Sequence, residues 1–547
     1  MNTAFQRVPR ADIKRSKFDL SHENKLTLKL GTLTPVLSKE MVPGDSFKCN
    51  VDTLVRMHPA LAPVMQRLNC YIHFFAVPER LAFRDFDKFI TRGDTGSSEV
   101  VSLPYTSLRG IVDRLATDVP TPPAEYVAPT GIRSADFAYT TVLWSRFADM
   151  LYYGSVNELL DGITITTTDN IKNVEDLYDI IVANWQNPEF FSAAEFRIQP
   201  FIMNYLIWRE YYRDQDLQSI DSVSTFYGQM DENIEFFINM LPTDNVFTNG
   251  VSGLAALLNI MSLPQQRLYE DDYFTMARPY AQKGTAVTIP GNSTVQEHRS
   301  AFALQQVKEI LLKAGSRYVE YVKALFGTDV PDARSQRPEF IGSYKTTIKM
   351  SEVLQTSETS EDSPLGDMGG HGIAVGGNGG FYYEAKEHCI IFGIMSVVPR
   401  IGYMDYRSRM FYRNSPFQFL TPQYATIGEQ EIYVKEIGHS ALSAAEPEDE
   451  FGYQERYAEY KSAVSTVHGD MKGNLAYWHM DRGYWSTDSP TLSEAFVKVN
   501  PVDLNRVFPV ISGDSGDKLY AQIYFDITAI RPLPKIGTVG GLIDHAR

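Results

Sequence analysis

The sequence predicts a mainly β fold, built as one domain with long loop and helical insertions between its strands. Aromatic residues make up 12% of the 547 residues, with 31 Tyr and 31 Phe, and flat rings pack well on a pleated sheet. Strand-like segments occur at both ends and in the middle of the chain. The regular strand–helix units of a doubly wound α/β fold are absent, as is any internal repeat of about 20 to 50 residues.

Four segments carry the strand signals. Residues 27–50 alternate apolar and polar side chains with a period of two, and Pro43-Gly44-Asp45 supplies turn chemistry near the end. Residues 69–78 are almost continuously apolar, which predicts a strand buried on both faces. Residues 388–400 and 518–534 repeat that pattern, so strong strands are spread over the whole chain.

Two segments between these strands predict helices. Residues 201–212 follow Pro200 and place Phe201, Tyr205 and Trp208 at helical spacing, which is typical of a face packed on the core. Residues 298–325 predict a second helix, and Gly327 is its expected C-terminal stop.

Composition excludes several classes of protein. The chain is 44% hydrophobic, too apolar for a disordered protein, and no segment reaches the roughly 20 apolar residues of a membrane helix. The N-terminus has no apolar stretch of the kind a secretory signal needs. Cys49, Cys70 and Cys389 lie far apart and predict buried thiols rather than a disulfide framework, in keeping with synthesis in a reducing cytoplasm.

Charge is distributed unevenly along the chain. The formal net charge is −16, yet the first 17 residues contain five basic residues and a single acidic one, Asp12. The basic residues are Arg7, Arg10, Lys14, Arg15 and Lys17. Residues 221–272 are strongly acidic and contain a single basic residue, Arg267. A basic N-terminal arm, residues 1–26, on an acidic body predicts two surfaces with different partners, although a frayed soluble terminus has the same composition.

No sequence motif specifies an active site. The chain has no nucleophile elbow, phosphate-binding loop, zinc-protease helix or EF-hand loop, and its ten histidines show no ligand spacing. The Gly-rich residues 369–380 have no strand before them and no helix after them, so they predict a flexible or tightly bent surface loop rather than a dinucleotide site. Acidic residues 358–362 and 446–450 predict solvated loops. We therefore predict a protein that is not an enzyme, with no cofactor and no metal.

Longer strings resemble the major capsid protein of the Microviridae, especially the gokushovirus-like branch of these small single-stranded DNA phages. They occur in order along essentially the whole chain. The resemblance rests on FDLSHENKLTLKLGTLTPVLSKEMVPGDSF at residues 18–47, LAPVMQRLNCYIHFFAVPERL at 61–81, YYRDQDLQ at 211–218, DDYFTMARPYAQKG at 271–284, EVLQTSETSEDSPLGDMGGHG at 352–372, GIMSVVPR at 393–400, IGEQEIYVKEI at 427–437, RYAEYKSAVSTVHGDM at 456–471, YWHM at 477–480 and KLYAQIYFDITAIRPLPKIGTVGGLIDH at 518–545.

This resemblance implies a fold and an assembly. Residues 27–547 would form a single eight-stranded jelly roll, a viral β-sandwich with long insertions between strands. About 60 copies would assemble through pentamers into a T=1 icosahedral shell around circular single-stranded DNA. The subunit would be made and assembled in the bacterial host cytoplasm and reside in the virion.

The resemblance also assigns partners to the two charged regions. The arm residues Arg7, Arg10, Lys14, Arg15 and Lys17 would face the interior and contact DNA phosphates. Five basic residues per copy cannot neutralise a genome, so a small basic packaging protein is expected beside scaffolding and minor or pilot virion proteins. Residues 220–270 would form an insertion that protrudes from the surface and meets a host receptor.

Two other classes of jelly-roll protein remain alternatives. A carbohydrate-active enzyme should place clustered carboxylates or histidines on alternate strand positions, and the sequence shows none. A carbohydrate-binding β-sandwich would not need a basic arm, although aromatic-rich loops leave glycan binding open.

Overall fold

The computed structural model describes most of the strand-forming parts of the chain. The described residues are 13–83, 86–91, 105–107, 195–197, 199–218, 265–289, 291–315, 317–354, 368–376, 378–425, 427–438, 450–483, 490–500, 504–509 and 517–535. Arg7, Arg10 and residues 220–264 of the predicted insertion lie outside them.

The described strands confirm the mainly β class. They are β1 Ser16–Asp19, β2 His22–Leu28, β3 Thr34–Met41, β4 Ser46–Met57, β5 Leu68–Pro78, β6 Tyr105–Ser107, β7 Glu195–Arg197, β8 Glu339–Leu354, β9 Met368–Val375, β10 Asn378–Glu384, β11 Cys389–Pro399, β12 Glu429–Tyr433, β13 Glu450–Glu455 and β14 Leu519–Arg531. All four segments predicted as strands contain strands, and β5 is buried at every position except Tyr71 and His73, which are half-buried.

One large antiparallel sheet contains ten of these strands. β1 and β2 pair with β14 in one continuous register, from Ser16 opposite Arg531 to His22 opposite Phe525. β9 and β10 likewise follow one another between β4 and β8, with a one-residue shift of register at Gly376 that marks a bulge. The sheet therefore has eight positions, in the order β1/β2, β14, β4, β9/β10, β8, β5, β11 and β3.

The two ends of this sheet fold back on one another. Asn24 on β2 donates its side-chain amide to the carbonyl of Val36 on β3 over 2.8 Å, although these strands stand at opposite ends of the order. Inside the fold the rings of Phe74 on β5 and Phe381 on β10 lie 4.9 Å apart. This arrangement of two packed halves is consistent with a β-sandwich and with the expected jelly roll.

Helices are short except in one region. They are α1 Glu79–Ala82, α2 Phe86–Thr91, α3 Gln199–Ile207, α4 Val295–Ala314, α5 Tyr318–Phe326, α6 Val434–Ile437 and α7 Glu494–Val497, with a π-helical turn at Trp208–Tyr212. The first predicted helix is confirmed as α3 and the π turn, and Tyr205 packs in the core as expected. Among the described residues, no helix is both long enough and apolar enough to cross a membrane.

The second predicted helix is two helices. Gly315 has φ +91°, a conformation that ends α4, and the chain restarts at Tyr318. The start also lies earlier than predicted, because Thr294 and Glu297 form a reciprocal capping box before Val295. Gly327 does end α5 in the left-handed conformation, as predicted.

The Gly-rich segment is sheet, so the prediction of a surface loop is wrong for most of it. Glycines here allow backbones to approach closely rather than to bend. A Cβ on Gly380 would lie 2.0 Å from the carbonyl oxygen of Cys49, and one on Gly370 would lie 2.2 Å from that of Ala62. Among the described glycines of the segment, Gly376 at φ +68° in the bulge and Gly379 at φ +149° need glycine for their backbone conformation as well.

The structure shows that parts of the predicted arm, residues 1–26, and of the predicted insertion, residues 220–270, belong to the body. Residues 16–26 of the predicted arm belong to β1 and β2, so a segment free of the sheet ends before Ser16. At the other boundary, residues 265–270 of the predicted insertion pack on the body: the Leu33 amide donates to the Gln265 carbonyl, and the Glu270 carboxylate accepts from Asn69 and Tyr71.

Candidate nucleic-acid interface

The described part of the predicted DNA-binding set lies at one edge of the large sheet. Lys14 and Arg15 precede β1, and Lys17 lies on its exposed face, opposite Ile530 of β14. Arg15 Nη1 lies 3.9 Å from Glu384 Oε1 on β10, and both side chains are about half exposed, at 47% and 54%. A surface ion pair of this kind contributes about 0–1 kcal/mol, so it orients Arg15 without tying it firmly.

Arg15 also lies close to a tight turn of the body. Its Nη2 is 3.2 Å from the position a Cβ would take on Gly44, in the turn between β3 and β4. Gly44 has φ +91°, which L side chains rarely adopt, so this turn requires glycine for its backbone as well as for the neighbouring guanidinium. The first residues before β1 therefore run beside the turn that the sequence predicts at residues 43–45.

Lys17 has an acidic neighbour on its own strand. The Asp19 carboxylate accepts hydrogen bonds from the hydroxyl and the amide of Ser21, and these bonds lower the pKa of Asp19, with a smaller contribution from the charge of Lys17. Lys17 is therefore an exposed cation beside a carboxylate that stays ionised.

The exposed face around Lys17 mixes cations, carboxylates and aromatic rings. The strand register places the following exposed side chains on the face shared by β1, β2, β14, β4 and β10: Lys25, Lys48 and Arg56; Glu23, Asp52, Asp526 and Glu384; Tyr382, Tyr520 and Tyr524. Tyrosine rings with long cations between them are what single-stranded bases stack on, whereas interspersed carboxylates weaken the attraction for phosphates. The described face is thus balanced in charge, and the arm carries the excess of positive charge.

Sequence reasoning missed the residues of this face. The signal was present in the period of two along β14, where Tyr520, Tyr524 and Asp526 alternate with buried Ile523 and Phe525. It could not be assigned to a shared surface, because the partner strands β1 and β4 lie almost 500 residues away in sequence.

Neither the three cysteines nor the side chains that could bind a metal form a further site in the described residues. Cys49, Cys70 and Cys389 are buried and unpaired, and burial raises the pKa of each thiol to about 12, far from a reactive thiolate. In the part of the chain that the structure describes, no three His, Cys, Asp or Glu side chains converge on a metal-sized site. Of the two acidic clusters, only Glu450 is described, and it accepts a hydrogen bond from Tyr453 over 2.6 Å.

Comparison with known proteins decides which family the fold belongs to. The model of the phage family described as capsid protein (F protein) matches residues 6–110 and 291–540, more than half of the chain and all of the large sheet. The chain belongs to this capsid-protein family.

Full-length relatives agree with the family. The chain is 26% identical to capsid protein VP1 of Chlamydia phage 1, covering 99% of this chain and 98% of that protein. It is 27% identical to capsid protein VP1 of Bdellovibrio phage phiMH2K, covering 98% and 97%, and 23% identical to capsid protein VP1 of Spiroplasma virus 4, covering 96% and 95%. These three phages are all Microviridae, which confirms the resemblance found in the sequence.

The family establishes the function at a coarse level. The chain is a major capsid protein of a bacteriophage, a structural protein and not an enzyme, as the sequence predicts. A capsid protein assembles with copies of itself and resides in the virion.

Proposed function

We propose that about 60 copies of the chain, grouped as pentamers, form a T=1 icosahedral shell around circular single-stranded DNA. The observation that carries this proposal is the match to a capsid protein over essentially the whole chain, covering 99% of this chain and 98% of that protein. The long connections between the strands support it, because a closed shell needs separate contact surfaces around each symmetry axis.

The arm contacts the genome in this proposal. Arg7, Arg10, Lys14 and Lys17 lie at or before β1 and bind phosphates without sequence preference, while Arg15 is partly occupied by Glu384. The balanced charge of the sheet face supports a division of labour, in which the arm attracts the DNA and a small basic packaging protein supplies most of the neutralising charge.

The predicted insertion, residues 220–270, contacts the host in this proposal. The family model matches residues 6–110 and 291–540 and leaves out the part of the chain that contains this segment. A loop outside the shared scaffold suits a surface that meets a host receptor. Scaffolding and minor or pilot virion proteins complete the expected partners, with synthesis and assembly in the bacterial host cytoplasm.

Sedimentation velocity tests the shell directly. The full chain of 61.8 kDa, produced alone and together with the other virion proteins, should give a discrete pentamer and a shell-sized particle at near-physiological salt. Electron microscopy of the fast species should then show icosahedral particles of a single size. A chain that stays monomeric in both preparations would contradict the proposal.

A further inference from the structure

The segment between β11 and β12 exposes an unusual set of apolar side chains. Within residues 410–427, six large apolar residues are about half exposed or more, and we call them the aromatic patch. They are Met410 at 57%, Phe411 at 76%, Phe417 at 63%, Phe419 at 54%, Leu420 at 49% and Ile427 at 56%.

Buried charges hold the backbone of this segment in place. Arg409 is 11% exposed and bonds both the Glu431 carbonyl, over 2.5 Å, and the Glu436 carboxylate, over 2.8 Å. Arg413, 9% exposed, bonds the Glu459 carboxylate over 3.0 Å. An ion pair this deeply buried allows few alternative backbone positions, because any movement would leave a charge unpaired away from water.

Local hydrogen bonds then fix the turns that carry the phenylalanines. Ser415 and Gln418 form a capping box around the turn at Pro416–Gln418, and Tyr457 donates its hydroxyl to the Phe417 carbonyl over 3.2 Å. The Arg413 guanidinium lies 5.4 Å from the Phe419 ring. The patch is therefore exposed but ordered, which is how side chains that bind another protein avoid losing conformational entropy on binding.

The exposed area is large for a subunit surface. The three phenylalanines alone leave on the order of 400 Å² uncovered, taking about 200 Å² for a fully exposed ring. The three aliphatic residues bring the total towards the roughly 800 Å² that each partner contributes to a stable protein interface. Exposed apolar area of this size within one short segment is typical of a surface that another protein covers.

We infer that the aromatic patch is a contact surface between copies of this chain in the shell. The inference rests on the proposed function, in which many copies meet around symmetry axes. Nucleic acid is a less suitable occupant, because Arg409 and Arg413, the arginines that hold this segment in place, are already paired with carboxylates. A second copy is the occupant present at every subunit, and aromatic residues beside arginine are the residues enriched at the centres of protein interfaces.

Substitution of the patch tests the inference. The triple variant Phe411→Ser, Phe417→Ser and Phe419→Ser should keep the unfolding temperature of the free subunit within a few degrees, because the three rings are exposed. Its yield of shell-sized particles, produced with the other virion proteins, should fall at least tenfold. The matched control is Val295→Ser on α4, which removes an apolar side chain that is 78% exposed elsewhere and should leave the yield unchanged.

The possible outcomes separate this inference from the proposed function. Loss of particles in the triple variant alone supports it. Normal particles in the triple variant would overturn the inference and leave the proposed shell untouched. Particles of normal size that lack another virion protein would also overturn it, because the patch would then bind that protein and not a second copy of the chain. If the unchanged chain forms no particles, the proposed function itself fails.

Hydroxyl-radical footprinting gives an independent reading without any substitution. Met410 and Phe411 should be labelled readily in dissociated subunits and at least fivefold less in intact particles. Equal labelling in both states would also overturn the inference.

Discussion

Gly380 shows how closely backbones approach in the middle of this sheet. A Cβ there would meet the Cys49 carbonyl at 2.0 Å, and the contact is with main chain that cannot rotate away. We expect Gly380→Ala to destabilise the subunit by about 1–3 kcal/mol, because β4 and β10 would have to separate. The midpoint of urea unfolding measures this loss.

Gly291→Ala is the matched control. Nothing lies within 4 Å of a Cβ at Gly291 and its φ is not positive, so the same added methyl group should leave the urea midpoint nearly unchanged. An equal effect of the two substitutions would show that Gly380 acts through the flexibility of the unfolded chain and not through the sheet.

His73 makes the fold sensitive to acid. Burial, helped by the positive charge of Arg267, lowers the pKa of His73 from its ordinary 6.5 to about 4, and its Nδ1 lies 2.7 Å from the Tyr212 hydroxyl. Between pH 6.5 and 4, His73 is therefore protonated in the unfolded chain but remains neutral in the folded chain. The free energy of unfolding falls as the pH falls through this window. The full effect is at most about 3 kcal/mol.

The comparison with His73→Asn isolates this contribution. The variant has no proton to gain, so the stability advantage of the unchanged protein over it should shrink by about 2 kcal/mol between pH 7 and pH 4.5. Urea unfolding at a series of pH values measures both curves. Parallel curves would show that His73 does not carry the acid sensitivity.

At the level of elements, α6 holds the segment with the aromatic patch. Glu436 on α6 is fully buried and receives Arg409 at 2.8 Å, the Tyr433 amide at 3.1 Å and the Tyr273 hydroxyl at 3.2 Å. Glu436→Ala would leave the Arg409 charge buried without its partner, at a cost of about 3–5 kcal/mol. We expect amide hydrogen exchange to accelerate by orders of magnitude across residues 409–427.

Glu450→Ala provides the comparison for this element. Glu450 is exposed on β13, and its carboxylate accepts a hydrogen bond from the Tyr453 hydroxyl, so its loss should leave exchange in residues 409–427 unchanged. Slow exchange in the Glu436→Ala protein would mean that the turns hold the segment without the ion pair.

Strands were predicted from sequence more fully than their pairing. Residues 69–78 and 388–400 can be recognised as strands because a strand buried on both faces is apolar throughout. The strands β5 and β11 are buried in this way. The Gly-rich strands β9 and β10 cannot be recognised in this way. Their glycines are needed because the backbone of Cys49 or Ala62 lies very close, and only the folded sheet brings these residues together. The break at Gly315 was missed for a similar reason, since apolar spacing continues through it.

The candidate site was predictable only where charge is local in sequence. The basic residues of the arm are close together in the sequence and can be recognised directly. The ion pair between Arg15 and Glu384 joins residues that only the folded sheet brings together, so it could not be predicted. The aromatic patch gave no signal, because Phe417 and Phe419 look like core residues until the structure shows them exposed.

For the whole molecule, we propose that the arm sets the affinity for DNA. Changing Arg7, Arg10, Lys14 and Lys17 to Gln should leave particles intact but with less DNA, and should reduce the salt dependence of single-strand binding by a slope of about 3. Filter binding of an oligonucleotide over a series of salt concentrations measures the slope. The matched control changes Lys283, Lys323, Lys461 and Lys498 to Gln, four cations paired with carboxylates elsewhere on the surface. Equal slopes in the two variants would remove the arm from the interface.

The insertion can be tested without disturbing the body. Replacing residues 222–262 with a short Gly/Ser linker spares Gln265 and Arg267, whose main chain bonds the loop before β3. Particles should assemble normally and adsorb poorly to host cells, as measured by the unadsorbed fraction after mixing. Normal adsorption would refute a role for this segment in host contact.

The position of β14 has a consequence for the time at which the subunit can fold. β14 is the last of the described strands, yet it lies between β2 and β4, which are among the first of them. A ribosome adding about 5–20 residues per second needs roughly half a minute or more to reach it after β4 emerges. Until β14 has been made, the edge of β4 on that side has no partner strand, so the large sheet cannot be completed before β14 is synthesised. We expect this open edge to pair readily with strands of other chains until β14 occupies it.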